Sequence, residues 1–368
     1  MRITAVEIQN LRNLTDIRFV PQPGINILLG SNAQGKTNFL EAVYLHSNAR
    51  SFRPGDDRAI AKTGSKGYYS KITYEHAENI LYSELIYDLP SNKKEIFINN
   101  KKTNFKNTKR VKAVLFTPDD LFLVKGYPAQ RRNFIDYLLR QVSEEYGFIS
   151  DNYFKTLRHR NFLLRQEYAD PEVFQALSSV FTELAAQLIR QRLCLVNQLN
   201  LTIEDFSASE KISASQFKIK YALSFEPENN DLNKENLQIA IQRKLTATAA
   251  QEKKYQRTLC GPHLDDINFY INDKLAKIYA SQGQQRSMAI VLKLAELEVF
   301  KKIKSYYPVF ILDEVLSELD TERKRALINW LKAAPFQSFI TAVSLNNVEI
   351  SGLAISYVKD GHILTEKV

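Results

Sequence analysis

The sequence predicts an α/β protein. One phosphate-binding domain is assembled from both ends of the chain, around an inserted and mainly helical arm. Three observations carry this expectation. A glycine-rich stretch, Gly30 to Thr37, joins a short apolar strand to an amphipathic helix near the N-terminus. A second apolar strand ends in two acids, Asp313 and Glu314, near the C-terminus. Between them, residues 130–201 are rich in Arg, Gln and Leu, with apolar stripes at helical spacing. The expected boundaries are 1–120 and 260–368 for the composite domain and 121–259 for the arm.

The elements follow in order. Residues 1–20 read as two strands around a turn near Asn10–Thr15. Gly24–Gly30 is a short apolar strand, and a helix follows over 36–46 with Phe39, Leu40, Val43 and Tyr44 at helical spacing. Residues 68–116 alternate in short runs and predict antiparallel strands, with Asn99-Asn100 as a hairpin tip. Phe134, Leu138, Leu157, Leu163 and Leu164 mark the buried faces of the arm helices. A strand is expected near 216–224, a helix over 236–255, and strands at 266–270 and 275–279. A helix over 284–302, the buried strand 309–312, a helix over 321–333 and a strand over 338–343 come next. A hairpin over 355–365 turns at Asp360-Gly361.

Composition narrows the class of protein. The chain has 368 residues, 44% apolar and 25% charged, enough for one large or two ordinary domains. No apolar run approaches the ~18 residues that span a bilayer. The first residues lack the pattern of a signal peptide, so a cytoplasmic protein is expected. Two cysteines, Cys194 and Cys260, and five scattered histidines show no metal-ligand spacing. The net charge of +9 suits a polyanionic partner. From Lys93 to Lys112 there are eight Lys/Arg and one acid, Glu95. This run is either a solvated basic hairpin or a DNA contact through Lys93, Lys94, Lys101, Lys102, Lys106 and Lys109.

Gly30-Ser31-Asn32-Ala33-Gln34-Gly35-Lys36-Thr37 fits G-x-x-x-x-G-K-[ST]. Glycines let backbone N–H groups wrap a phosphate, and the helix that follows points its positive end at the anion. In this reading Lys36 reaches the β- and γ-phosphates of ATP, and the Thr37 hydroxyl ligates Mg²⁺. A strand that buries four apolar residues and then exposes Asp313 and Glu314 sets charge at a sheet's carboxyl edge, where α/β sheets bind ligands. Asp313 is expected to hold the Mg²⁺, and Glu314 to orient or deprotonate the attacking water.

Ser281-Gln-Gly-Gln-Gln-Arg286 opens a helix. Ser281, Gly283 and Gln284 offer a hydroxyl, a bare backbone and an amide at a helix N-terminus, either a plain cap or a second anion site. One subunit has little use for two γ-phosphate cradles. Two subunits docked head to tail use both, which is the arrangement of the ABC ATPases. Asp320 then helps align the water at the dimer interface.

The order of these motifs resembles the RecF family from end to end. It starts with the early Asn10-Leu-Arg-Asn-Leu14 and the phosphate loop. Thr117-Pro-Asp-Asp-Leu, the segment Lys125–Asp136 and Arg160-Asn-Phe-Leu-Leu164 follow. Gly261-Pro-His-Leu-Asp-Asp266, the Ser281 motif and Leu312–Asp320 complete the series. The resemblance implies an ABC-type ATPase head with a helical arm. It also implies ATP-dependent dimerisation on DNA, slow hydrolysis, and recombinase loading at gaps and single-strand/double-strand junctions with RecR and RecO. It implies that Arg12 contacts the nucleotide. Four departures stand out. Ala33 replaces a glycine, which tightens the loop. Leu264 stands where an arginine is expected. No clear glutamine of the nucleotide-sensing loop follows 111–116. No histidine follows strand 338–343, where Thr341 is the nearest polar candidate for the switch position. The last two argue against fast hydrolysis.

Two other readings of the motifs are a transporter's ATPase subunit and a chromosome-structure ATPase with long coiled coils. The long interval between phosphate loop and signature disfavours the first. The short arm without sustained heptads disfavours the second.

Overall fold

The computed structural model describes residues 1–104, 109–168, 170–208, 216–227, 231–345 and 351–365. The described residues divide into two compact units. One comprises Met1–Leu121 with Ala289–Val368, and the other lies between Phe122 and Met288.

The first unit contains two six-stranded sheets. One is antiparallel, in the order β2 (Leu14–Phe19), β1 (Arg2–Leu11), β4 (Gly67–His76), β5 (Asn79–Asp88), β6 (Lys93–Ile98), β7 (Lys101–Thr103). The other runs β15 (His362–Thr365), β14 (Ala354–Lys359), β3 (Ile25–Leu29), β13 (Ser338–Ala342), β12 (Val309–Leu312), β8 (Ala113–Phe116). All its pairings are parallel except the β14–β15 hairpin. The expectation that 68–116 is antiparallel throughout fails at its last strand. Ala113–Phe116 is buried at every residue and pairs in parallel with β12. A continuous apolar run is the signature of a strand covered on both faces, not of a half-exposed meander.

Helix α1 (Lys36–Asn48) touches strands of both sheets and is buried along most of its length. Polar groups inside it are therefore paired. His46 lies between the Ser83 and Ser70 hydroxyls at 2.9 and 3.0 Å. Burial, helped by the nearby Arg110 charge, pushes its pKa down to about 3, so it is a neutral structural ring. The last helices of this unit are α7 (Gln282–Lys304), which begins in the other unit, and α8 (Thr321–Ala333). Asp320 caps α8 by accepting from Arg323 N at 2.9 Å.

The second unit packs α2 (Pro128–Val142), α3 (Glu144–Leu164), α4 (Pro171–Ala208) and α5 (Lys234–Tyr255) with a small sheet. That sheet is β11 (Lys274–Leu275), β10 (Asp266–Ile271), β9 (Phe217–Ala222), and the short α6 spans Ala276–Tyr279. The strand expected over 275–279 is thus mostly a helical turn. β11 lies at the sheet edge, and Ile278 and Tyr279 are exposed, so nothing buries the second face of a longer strand.

This unit runs on to Met288, beyond residue 259 where the insertion was expected to end. The reason is the Gly261–Asp266 motif. Asp265 is buried and accepts from Tyr221 Oη and Ser224 N, each at 2.7 Å. Asp266 holds Arg131 of α2 through two bonds of 2.8 Å. Arg192 of α4 donates to Pro262 O at 2.6 Å and to both oxygens of Asp136 at 2.8 Å. His263 meets Tyr153 Oη at 2.6 Å. Buried charges persist only when bonded in this way.

Candidate nucleotide site

β3 delivers the chain to Gly30 at the carboxyl end of the parallel sheet. A Cβ at Gly30 would lie 2.4 Å from Val358 O of β14, so only glycine fits. Gly35 has φ +112° and begins α1 without a side-chain cap. No acid occupies the helix's first turn, which leaves its N–H groups to an anion. Ala33 adopts φ +65°, a left-handed conformation that costs an L-residue about 1–2 kcal/mol. An alanine at this φ therefore stores strain in the loop that a glycine would not. Ser31, Asn32 and Ala33 are exposed.

Gln34 faces away from this cradle. Its side chain accepts from Asp360 N at 2.6 Å, and its carbonyl accepts from Gly361 N at 3.0 Å. The tip of the β14–β15 hairpin therefore supports the outside of the loop. Gly361 has φ +76°, and a Cβ there would lie 2.5 Å from Asn13 O. Gly352 shares φ +76° but has open space around it. We expect Gly361→Ala to lower Tm by a few degrees more than Gly352→Ala in thermal unfolding of the first unit, since about 1 kcal/mol moves Tm by roughly 2–4 °C for a unit of about 200 residues. Equal shifts would mean that the hairpin yields freely against Asn13.

Lys36 is 3% exposed. Its ammonium donates to Gly30 O at 2.8 Å and Ser31 O at 2.9 Å, and lies 3.2 Å from Glu314 Oε1. Thr37 Oγ1 donates to Asp313 Oδ1 at 2.8 Å. β12 is buried at all four residues and ends at these acids, so both carboxylates stand beside the loop. Burial raises the pKa of Asp313, while the hydrogen bonds from Thr37 and Thr341 work against that rise. Thr37 and Asp313 together form an all-oxygen donor pair, which suits Mg²⁺ completed by phosphate and water. Among the described residues no group of three or more His, Cys, Asp or Glu is placed to hold a metal. Glu314 has φ +53°, a strained position of order 1–3 kcal/mol that clusters at functional sites.

Arg12 does not point freely into this space. Its Nε and Nη2 grip the buried Glu41 of α1 at 3.0 and 2.8 Å, and its Nη1 donates to Ala59 O at 2.5 Å. Beside it, Asn13 Nδ2 donates to Ala33 O at 3.3 Å, and Asn38 Nδ2 donates to Asn13 Oδ1 at 2.7 Å. The early motif therefore braces the loop. The half-exposed guanidinium near the carboxylates is Arg53, which donates to Asn38 Oδ1 at 2.7 Å and acts electrostatically on Asp313. Sequence reasoning missed Arg53. The available signal was Glu41, an acid among the apolar positions of α1 that required cations nearby.

The model of the RecF/RecN/SMC N-terminal domain matches residues 2–361. The DNA replication and repair protein RecF of Lactobacillus gasseri is 33% identical over 95% of this chain and 94% of its own length. The chain belongs to the RecF family. A solved structure of the recombination mediator protein RecF-ATPrS of the RecFOR pathway matches with TM-score 0.90 and 29% identity, covering 99% of this chain and 98% of that one. An SMC head domain from Pyrococcus furiosus, solved with the C-terminal domain of ScpA, matches at TM-score 0.57 and 12% identity, a likeness of fold alone. The fold is accordingly the mixed α/β, ABC-type ATPase head of RecF and SMC proteins.

For this RecF-family chain the signature serine has a defined local geometry. Ser281 is exposed and caps α7. Its Oγ accepts from Gln284 N at 3.2 Å, and Gln284 Oε1 accepts from Ser281 N at 2.9 Å. This reciprocal capping box presents Ser281 and the half-buried Gly283 at the helix end. By the division above, these residues lie in the second unit.

The basic run is only partly available to a ligand. β6 and β7 lie at the edge of the antiparallel sheet, where lysines also prevent edge-to-edge pairing. Lys94 is tied to Asp57 Oδ1 at 2.5 Å and Ala49 O at 2.6 Å, and Lys102 pairs with Glu95. Arg110 is buried against the carbonyls of His46 and Ser47. Lys93, Lys101, Lys102 and Lys109 are exposed, and Lys106 lies outside the described residues. In the arm, Arg158 and Arg165 are exposed. Arg160 is buried on Glu252 at 2.6 Å and Thr258 at 2.7 Å, which removes it from any surface.

Proposed function

We propose that this protein is an ATP-dependent DNA-binding ATPase of recombinational repair. It binds ATP with Mg²⁺, pairs head to tail with a second copy on DNA, hydrolyses ATP slowly, and helps load recombinase at gaps and single-strand/double-strand junctions. The observation that carries this reading is the convergence of Lys36, Thr37, Asp313 and Glu314 within hydrogen-bonding distances at one sheet edge. The likeness to proteins named for DNA replication and repair, and to a mediator of the RecFOR pathway, supports DNA, RecR and RecO as partners. The head occupies both ends of the chain, with residues 121–259 as the core of the arm.

Before nucleotide arrives, Lys36 neutralises Glu314. Phosphate oxygens compete for the ammonium, and Glu314 is then released to accept a proton from water. Thr37 and Asp313 would hold the Mg²⁺, which supplies charge neutralisation at the phosphates. Ser281, Gly283 and Gln284 would face the partner's γ-phosphate, with Asp320 beside the water. Lys93, Lys101, Lys102 and Lys109 are the lysines best exposed for DNA phosphates. Lys94 contributes only if it leaves Asp57.

The test is Glu314→Gln beside the wild type, assayed for phosphate release and for size by light scattering, with and without duplex DNA. We expect DNA to stimulate the wild type. The amide cannot take a proton, so the variant is expected to hydrolyse at least about 100-fold more slowly while its ATP-bound dimer persists. Wild-type turnover in the variant would remove Glu314 from the role of base. No response of the wild type to DNA would remove the DNA-dependent part of the reading.

A further inference from the structure

Thr341 is the last residue but one of β13 and lies beside the two acids that follow β12, because Leu312 pairs with Ile340 in the parallel ladder. It is fully buried. Its hydroxyl makes two hydrogen bonds of opposite sense. Oγ1 donates to Asp313 Oδ1 at 2.8 Å, and it accepts from the backbone N–H of Glu314 at 2.8 Å. The same Asp313 oxygen accepts from Thr37. One hydroxyl on the neighbouring strand therefore fixes both consecutive acids, one through its side chain and the other through its main chain.

We propose that Thr341 is a positioning residue for hydrolysis, an inference that rests on the proposed ATPase activity. Its only proton is committed to Asp313 and one lone pair to Glu314 N, so it has no proton left to donate to a γ-phosphate. It acts through its two neighbours instead. Glu314 is held at φ +53°, and its N–H in this buried turn needs an acceptor. Supplying that acceptor sets the direction in which the Glu314 carboxylate leaves the strand. The bond to Asp313 sets where the second carboxylate stands relative to Thr37. A β-branched residue is stiff about χ1, so the hydroxyl keeps one orientation. The distance between the metal-side and the water-side carboxylates is thereby fixed before ATP binds. The side chain touches no reacting atom, so its effect belongs in kcat, not in ATP affinity.

The experiment compares Thr341→Val, which keeps the shape and removes the hydroxyl, with Thr341→Ser, which restores it. Thr341→Ala, which leaves room for a water, serves if the valine variant does not fold. A misplacement of order 1 Å in a catalytic group costs about 100-fold. We expect Thr341→Val to lower kcat by about that factor while the Mg·ATP Kd by calorimetry changes less than about threefold. Thr341→Ser should recover kcat to within about threefold. Valine or alanine variants with wild-type kcat overturn the inference. So does a serine variant as slow as the valine one, because packing by the methyl group would then be the cause. A wild-type chain that binds ATP but releases no phosphate would count instead against the ATPase reading itself.

Discussion

Lys36→Ala is expected to weaken ATP binding by at least about two orders of magnitude. The ammonium is already desolvated, at 3% exposure, and is pre-aimed by Gly30 O and Ser31 O. Bringing it to the phosphates with two hydrogen bonds requires that it release Glu314 and one of the two loop carbonyls. Charge-assisted hydrogen bonds are worth about 1.5–3 kcal/mol each, and two of them to phosphate oxygens amount to roughly 100-fold or more in Kd. The loss is compounded because Asp313 and Glu314 then face the phosphates without a nearby cation of the loop. The fold should tolerate the change. The carbonyls left behind are those of Gly30 and the exposed Ser31, within reach of water. Calorimetry with Mg·ATP checks the affinity, and thermal unfolding without nucleotide checks the fold. A Kd within about threefold of wild type would remove the phosphate-loop assignment.

The geometry of the loop was legible at four of its positions, because each is forced by a separate requirement. Gly30 has no room for a side chain, Gly35 needs positive φ, and Lys36 and Thr37 supply charge and hydroxyl at a helix start. Pairing partners were not legible in the same way. Ala113–Phe116 follows a meander in sequence but joins the other sheet, and nothing local to it names β12 as its neighbour, over 190 residues away. Its four consecutive apolar residues carried the correct signal, which the alternation before them obscured.

The arm was harder to read because arginine is ambiguous. Arg158 and Arg165 are solvated, whereas Arg160 sits on the same helical stripe as Tyr146, Ile149, Tyr153 and Leu157. A charge at that phase of a helix is a core residue awaiting a partner, which Glu252 supplies from α5. The same reasoning separates Arg12 from Arg53. A turn that packs against α1 commits Arg12 to Glu41, and the guanidinium left near Asp313 comes from a segment with no motif.

Ser281→Arg is expected to abolish ATP-driven dimerisation while leaving ATP binding by a single subunit within about threefold of wild type. Lys36, Thr37 and Asp313 belong to the first unit and all remain in the variant. Ser281 caps α7 from the second unit, with its hydroxyl held by the reciprocal bonds to Gln284. Loss of such a cap costs about 1 kcal/mol, too little to unfold a chain of this size but enough to lower Tm slightly. The larger consequence falls on the second copy. In the proposed head-to-tail dimer, an arginine at the exposed helix end would fill the volume that the partner's γ-phosphate needs and would remove the small hydroxyl that meets it. Hydrolysis and any ATP-dependent hold on DNA should fall together with the dimer. A mixture with Lys36→Ala subunits sharpens the test. In the mixed dimer one site still combines an intact phosphate loop with an intact Ser281, so partial hydrolysis should return although neither variant hydrolyses alone. Light scattering and phosphate release report these outcomes. If the Ser281→Arg monomer fails to bind ATP, Ser281 acts on its own subunit's nucleotide. If the variant dimerises normally, Ser281 is a helix cap and nothing more.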